Sequence, residues 1–320
     1  MTKLLARFAE CLFWCGRQVE RANALARVLD VNQSYSFDAH GDRNWEMLLH
    51  LYEQKPEFLE RFGEVTPEAV LYWHLLDEGN SSSVRSSIFQ ARENARTLRP
   101  LISTEMWTQL NGFHQTLMDL SPIDATPRRL SRLANIIKEN CQTHVGITLE
   151  TLYRDEAYYF YRMGQQIERA DQTTRLMWTK FHQLLPMGAE EGSAVDVSQW
   201  HALLRAVAGF QAFNRENAGN LTPEAIMSFL LFNPMFPRSL VCSVSAASDC
   251  LTRLRRDFNL QAGSLAVGHL RQFQSQLYDY DMEMVNQQGL DEIIDWSQRE
   301  LIKATDLIAL SFFALAVDDD

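Results

Sequence analysis

The sequence predicts an all-α protein, an internally duplicated helical bundle whose halves are related by a pseudo-two-fold axis. Three observations carry this. Gly (14) and Pro (9) are scarce in a chain of 320 residues, which favours long helices over many short strands joined by turns. Apolar residues recur at three- and four-residue spacing with no sustained alternation. Two blocks also repeat in the same order: 13–29 matches 161–177 at an offset of 148, and 65–84 matches 221–240 at an offset of 156.

The elements follow in order. In the first helix, 3–29, Leu5, Phe8, Leu12, Cys15, Val19, Ala22 and Ala26 share one arc, and Glu10, Arg17, Glu20 and Arg27 the opposite one. A helix over 43–54 precedes one over 67–77, which opens on Thr66-Pro67-Glu68: an N-cap, a proline at the first helical position, and an acid favoured by the helix dipole. Helices over 81–99, 104–118 and 128–144 complete the first half, with a loop at 119–127 marked by Ser121-Pro122 and Thr126-Pro127. The second half begins with a helix over 147–184 that carries the repeated block. A linker follows at 184–197, with Pro186, Gly188 and Gly192, and absorbs the eight-residue difference between the offsets. Helices over 198–214, 223–232 (opened by Thr222-Pro223-Glu224), 238–257, 264–286 and 291–317 end the chain. The expected organisation is one domain over 1–320 made of two repeats, about 1–145 and 146–320.

Composition narrows the function. Lys+Arg 30 against Asp+Glu 41 gives a net charge of −11, which argues against sequence-independent nucleic-acid binding and against docking on an anionic membrane. The longest apolar run, Leu307 to Val317, is far short of the roughly 20 residues of a membrane span and is broken by Ser311. The apolar N-terminus is interrupted by Arg7 and Glu10 and lacks a small-residue cleavage site, so it reads as an amphipathic helix and not a signal peptide. Five cysteines at irregular spacing fit reduced, mostly buried thiols, and the cytoplasm is the expected compartment.

No familiar catalytic signature is present. Phosphate-loop, dinucleotide and HExxH patterns are missing, as are CxxC, ExxH and GxSxG. No metal or cofactor is called for, and a self-contained enzyme is not indicated. What stands out is charge where a bundle prefers apolar residues. Glu20-Arg21-Ala22 recurs as Glu168-Arg169-Ala170-Asp171, each following a mid-helix glycine, Gly16 and Gly164, that costs about 1 kcal/mol relative to alanine. A repeated glycine there points to close helix–helix contact. The four charged residues then form a quasi-symmetric ion-pair network where the duplicated helices meet, or they contact a ligand directly.

A second feature is the stripe Arg85, Arg92, Arg96 and Arg99 on one face of the helix over 81–99, with Ser86 and Ser87 in its first turns. The aligned positions of the second copy are Val241, Ser248, Thr252 and Arg255, so only the first copy keeps it. Guanidinium groups suit carboxylate and phosphate recognition. The stripe therefore reads equally as an anion site or as a set of internal pairs with Glu10, Glu93 or Glu150. Between the halves lie His144 and Arg154, near a helix boundary; a lone histidine there is more often a structural hydrogen-bonding residue than a base. The run Asp318–Asp320 reads as a solvated tail.

The blocks at 6–31, 82–102 and 146–177, above all RSSIFQAREN and ERAD, resemble the signature blocks of the bacterial alpha-E domain family across essentially the whole chain. Gln18 sits where members often have Tyr, and Asn23 where many have an acid. The resemblance implies a place beside a circularly permuted ATP-grasp ligase, with a transglutaminase-like peptidase or the proteasome-like Anbu peptidase as further neighbours. The function expected from it is that of a non-catalytic partner of a peptide or amide ligase. Such a partner binds the ligase and an anionic substrate: a carboxylate, acyl-phosphate or peptide. A catalyst in its own right and a purely structural scaffold are the alternatives. The residues expected to serve are Arg85, Ser86, Arg92, Glu93, Arg96, Glu20, Arg21, Glu168, Arg169, Asp171, His144 and Arg154.

Overall fold

The computed structural model describes residues 4–36, 41–183, 194–217, 221–280 and 282–313. These contain fifteen α-helices, one short 3-10 turn at Pro122–Asp124, and no strand among the described residues. In chain order the helices are α1 (Ala6–Ser36), α2 (Gly41–Leu51), α3 (Lys55–Phe62), α4 (Pro67–Leu75), α5 (Val84–Thr97), α6 (Thr104–Met118) and α7 (Pro127–Thr151). Then come α8 (Glu156–Gln183), α9 (Ala194–Ala206), α10 (Phe210–Asn217), α11 (Pro223–Phe232) and α12 (Leu240–Asp257). The last three are α13 (Ser264–Asp279), α14 (Met282–Gln288) and α15 (Leu290–Phe312).

Local chemistry sets several starts. Thr66 and Thr222 accept hydrogen bonds from Ala69 and Ala225 N–H, each at 3.2 Å, and Ser83 and Ser239 accept from Ser86 and Cys242 N–H, each at 3.1 Å. These caps satisfy N–H groups that the first turn of a helix leaves without partners. Packing then gathers the helices into two sets. α1 rests on α5, α5 on α6, α6 on α7, and α7 returns to α1; likewise α8 rests on α12, α12 on α13, α13 on α15, and α15 returns to α8. One continuous apolar core runs through both. α1 and α8 lie side by side in the same direction. The Leu4 N–H donates to Glu156 Oε2 at 2.8 Å near their starts, and Glu20 meets Arg169 further along.

Several sequence-based boundaries move. α7 runs through Gly146 to Thr151, so the division at 145/146 falls inside a helix; buried Cys141, His144 and Thr148 keep that face packed and outweigh the roughly 1 kcal/mol cost of a helical glycine. The break comes instead at 152–155, where Asp155 Oδ1 accepts the Ala157 N–H at 2.9 Å. The single helix expected over 198–214 is two, interrupted where Ala208 takes a positive φ of 55°. The one over 264–286 breaks after Asp279. α3 has no counterpart in the sequence reading: only eight residues long, it is too short to show a helical period and starts from Pro56 at its N-terminus. Of the linker at 184–197, residues 184–193 lie outside the described residues and 194–197 begin α9. The tail at 318–320 also lies outside them. Of the charged arc of α1 only Glu10 is exposed: α5, α7, α8 and α9 pack around the helix, Arg17 and Arg27 are half-buried and Glu20 is only 1% exposed.

Candidate functional site

Two glycines bring α1 and α8 into backbone contact. A β-carbon at Gly16 would overlap the Tyr161 carbonyl oxygen, and one at Gly164 would overlap the Phe13 carbonyl oxygen. The contact is reciprocal, since Phe13 and Tyr161 are themselves separated by the same 148 residues as the glycines. This approach sets the two Glu-Arg pairs opposite each other. Glu20 Oε2 accepts from Arg169 Nη2 at 2.9 Å and from Gln165 Nε2 at 3.3 Å, while its Oε1 accepts from Arg169 Nε at 3.1 Å and Arg238 Nη1 at 2.8 Å. Glu168 Oε1 accepts from Arg21 Nε at 2.7 Å and Gln172 Nε2 at 3.0 Å, and its Oε2 from Arg17 Nε at 2.7 Å and Arg21 Nη2 at 3.1 Å. Both carboxylates are buried. Burial pushes both carboxyls up, but Arg169 and Arg238 on Glu20, and Arg21 and Arg17 on Glu168, outweigh it and hold both well below the ordinary range.

The network is not electrically balanced. On α8, Asp171 Oδ2 accepts from Arg175 Nε at 2.9 Å. At the positions 148 residues earlier the acceptor is an amide: Arg27 Nε donates to Asn23 Oδ1 at 3.2 Å, and Arg27 forms no ion pair among the described residues. Burial, then repulsion from Arg238, lowers the Arg27 pKa to about 10 even with Glu20 nearby. Three carboxylates (Glu20, Glu168, Asp171) thus face six guanidiniums (Arg17, Arg21, Arg27, Arg169, Arg175, Arg238) inside a chain of net charge −11.

The arginine stripe is a separate feature, on α5. Arg85 Nη2 donates to the Leu117 and Leu120 carbonyls at 2.9 and 2.8 Å, at the C-terminal end of α6. Arg92 donates to Asn111 Oδ1 and Glu93 Oε1 at 2.8 and 2.7 Å and lies over the Trp107 ring. Arg99 also lies over Trp107, and the exposed Arg96 pairs with Glu93 at 2.5 Å. Of the three acids the internal reading named, Glu93 is the one met. Arg92 and Arg96 thus share Glu93, Arg92 and Arg99 share the Trp107 ring, and Arg85 is held apart at the end of α6. Ser86 is buried, its hydroxyl 3.0 Å from that of Ser83. His144 is buried with Nδ1 3.1 Å from Gln109 Oε1, and burial lowers its pKa to about 4, so the ring is neutral at pH 7. Arg154 is exposed and lies over the Tyr158 ring.

One consequence concerns the seam. Arg85→Ala leaves two carbonyls at the end of α6 without their donor and should cost about 1–3 kcal/mol, whereas Arg96→Ala removes an exposed pair worth no more than about 1 kcal/mol. Chemical denaturation of the two variants measures the difference; equal midpoints would contradict the capping role.

The sequence reading missed Arg17, Gln165, Gln172, Arg238 and the Asn23–Arg27 pair as parts of this site. The repeat alignment contained a signal for some of them. Arg17 aligns with Gln165, so each carboxylate has a different set of neighbours, and the second guanidinium on Glu20 comes from Arg238, just before the Ser239 cap. Nothing in a helical pattern marks a residue at that position. All five cysteines are free, with Cys15, Cys141 and Cys250 buried. No group of His, Cys, Asp and Glu among the described residues is arranged to hold a metal ion, and no helix among them is long and apolar enough to cross a membrane.

An all-helical chain organised around paired Glu-Arg dipeptides defines a class, and comparison with known proteins agrees. The Alpha-E family, described as a predicted alpha-helical domain with a conserved ER motif, matches residues 4–313, and the chain belongs to it. Glu-Arg occurs at 20–21, 60–61 and 168–169, and the first and third of these are the pairs that meet. The chain is also similar to uncharacterized proteins of Mycobacterium bovis and Mycobacterium tuberculosis, 24% identical to each over 278 residues, covering 79% of this chain and 29% of the relative. It therefore spans less than a third of the length of these relatives. No solved structure matches it significantly.

Proposed function

We propose that this protein is the non-catalytic helical partner of an ATP-grasp peptide or amide ligase, and that it holds an anionic group of the substrate, a carboxylate or acyl-phosphate, at the α1–α8 contact. A transglutaminase-like peptidase or a proteasome-like peptidase is a further partner of the same system. The observation that carries the reading is the guanidinium excess around Glu20, where Arg169 and Arg238 take up the carboxylate and the nearby Arg27 is left with an amide acceptor only. A partly buried cation with no counter-ion is costly, and an oxyanion from outside supplies the missing charge. Matching longer proteins over only part of their length supports a domain that works joined to others. Free thiols fit a cytoplasmic setting.

The same reading takes the fold as an ancient duplication with pseudo-two-fold related halves. Reciprocal glycine contacts at an offset of 148, matching Thr and Ser caps at an offset of 156, and the parallel packing order of the two helix sets support it. Asn23 is then the place where the halves diverge in charge.

Asn23→Asp tests the function. It gives Arg27 the carboxylate that Arg175 has, so it should raise stability by about 1 kcal/mol and weaken substrate capture. Arg27→Gln should leave the melting temperature near wild type while cutting support of ligation about ten- to a hundredfold. The assay combines the purified chain with the ATP-grasp ligase of the same cells, ATP, Mg²⁺ and amino acids. Full support of ligation by both variants would overturn the anion site and leave the scaffold reading, which the complete pairing of Glu168 favours.

A further inference from the structure

A second cationic feature lies away from the Glu20 and Glu168 network, and its reading does not rest on that site. At the end of α12 and the start of α13 a cavity of about 320 Å³ is lined by Arg255, Arg256 and Arg271, with Thr252, Val267 and Leu260. Arginines in a last helical turn ordinarily complement the helix dipole. That explanation does not cover Arg255, whose Nε is buried and has no hydrogen-bond partner among the described residues. The nearby carboxylate, Asp257, is already taken by Arg256 at 2.6 Å and by Arg253 at 3.9 Å. Arg271 makes a single long contact, 3.4 Å to Thr252 Oγ1. Two guanidiniums on different helices therefore border one cavity without a carboxylate between them.

A second cavity, of about 310 Å³, adjoins the first, and the two share Leu260 and Gln261. Its walls are apolar: Leu4, Leu5, Ala9, Phe160 and Phe312. The acid on this side is Glu156, which accepts the Leu4 N–H at 2.8 Å. The combined groove is cationic at the α12–α13 end and apolar, with one carboxylate, at the α1–α15 end. A polarity of this kind fixes the orientation of whatever enters, anionic head toward the arginines and apolar body beneath Leu260.

We infer that this groove binds an amphipathic carboxylate, its two oxygens held by Arg255 and Arg271 and its apolar chain lying in the neighbouring cavity. A planar guanidinium matches a carboxylate with two parallel hydrogen bonds, and burial of the apolar part supplies area-dependent affinity. Two sources share this chemistry: the free C-terminus of a peptide ending in apolar side chains, and a short acyl anion.

Calorimetric titration of the full chain with three probes tests the inference: acetyl-Leu-Phe with a free carboxylate, the same dipeptide as its C-terminal amide, and octanoate. At least one carboxylate should bind saturably at millimolar concentration, with the amide at least about tenfold weaker. Arg255→Gln and Arg271→Gln should each weaken it about ten- to a hundredfold, while Arg253→Gln leaves it unchanged. Tighter binding of the dipeptide assigns the site to a peptide end, and tighter binding of octanoate assigns it to an acyl chain. Arg271 is exposed and makes few contacts, so its variant carries the test if Arg255→Gln folds poorly. Equal binding of acid and amide, no saturable binding of either carboxylate, or two neutral arginine variants would overturn it. Arg27→Gln is expected to leave this binding untouched, which separates failure here from failure at the α1–α8 contact.

Discussion

Glu168→Ala should lower the stability of the fold by about 3–5 kcal/mol, the cost of removing one partner from a buried pair. Arg17 and Arg21 both point their guanidiniums at this carboxylate, and Gln172 donates to it as well. Without it two largely buried cations, one turn apart on α1, are left without their acceptor at the α1–α8 contact. For a chain of this size the melting temperature should fall by roughly 5–8 °C. Glu168→Ala combined with Arg21→Ala should recover part of the loss, because the double variant strands one cation instead of two. The pH dependence has a definite sign. The folded carboxyl is held below its ordinary value of 4.5, so its contribution is present above about pH 4.5 and fades as pH falls further. Acid titration of wild type and Glu168→Ala should therefore converge at low pH. A variant as stable as wild type at pH 7 would show that the pair contributes nothing to the fold.

Gly164→Ala should cost about 3 kcal/mol, at the upper end of overpacking penalties. In an isolated helix the change would be favourable by about 1 kcal/mol. Here the sign reverses because the new methyl meets the Phe13 carbonyl, which is backbone and cannot swing aside like a side-chain tip. The two helices must separate, and the carboxylate–guanidinium distances lengthen with them. Gly16→Ala should behave alike against Tyr161. Once one methyl has parted the helices the second has less to displace, so the double variant should cost less than the sum of the singles. Denaturant midpoints of the three variants measure this; a neutral or stabilising Gly164→Ala would refute the close contact.

Much of this was legible in the residues. Thr66-Pro67-Glu68 and Thr222-Pro223-Glu224 announce helix starts because capping is local chemistry, and both caps form. The paired glycines and Glu-Arg dipeptides announced a crossing because an unfavourable residue retained twice at matching places needs a tertiary cause. What stayed hidden depends on groups far apart in sequence. Arg85 reads as a free cation until the α6 carbonyls at Leu117 and Leu120 are placed beside it. α7 continues through Gly146 because its buried face is held by neighbours, which no single-helix pattern records. The mismatch of Asn23 with Asp171 was visible in the alignment, but its meaning required Arg238, which arrives from the connection just before α12.

The backbone contact between α1 and α8 also bears on how the molecule opens in time. Each of these helices is the member of its four-helix set that the other set touches most closely, and their carbonyls and glycines leave no room for a sliding intermediate. Neither set can loosen its central helix without dragging the other with it. Amides near Gly16 and Gly164 should therefore exchange with deuterated solvent only through global unfolding, at one shared rate, while those of short α3 and α10 exchange through local fraying.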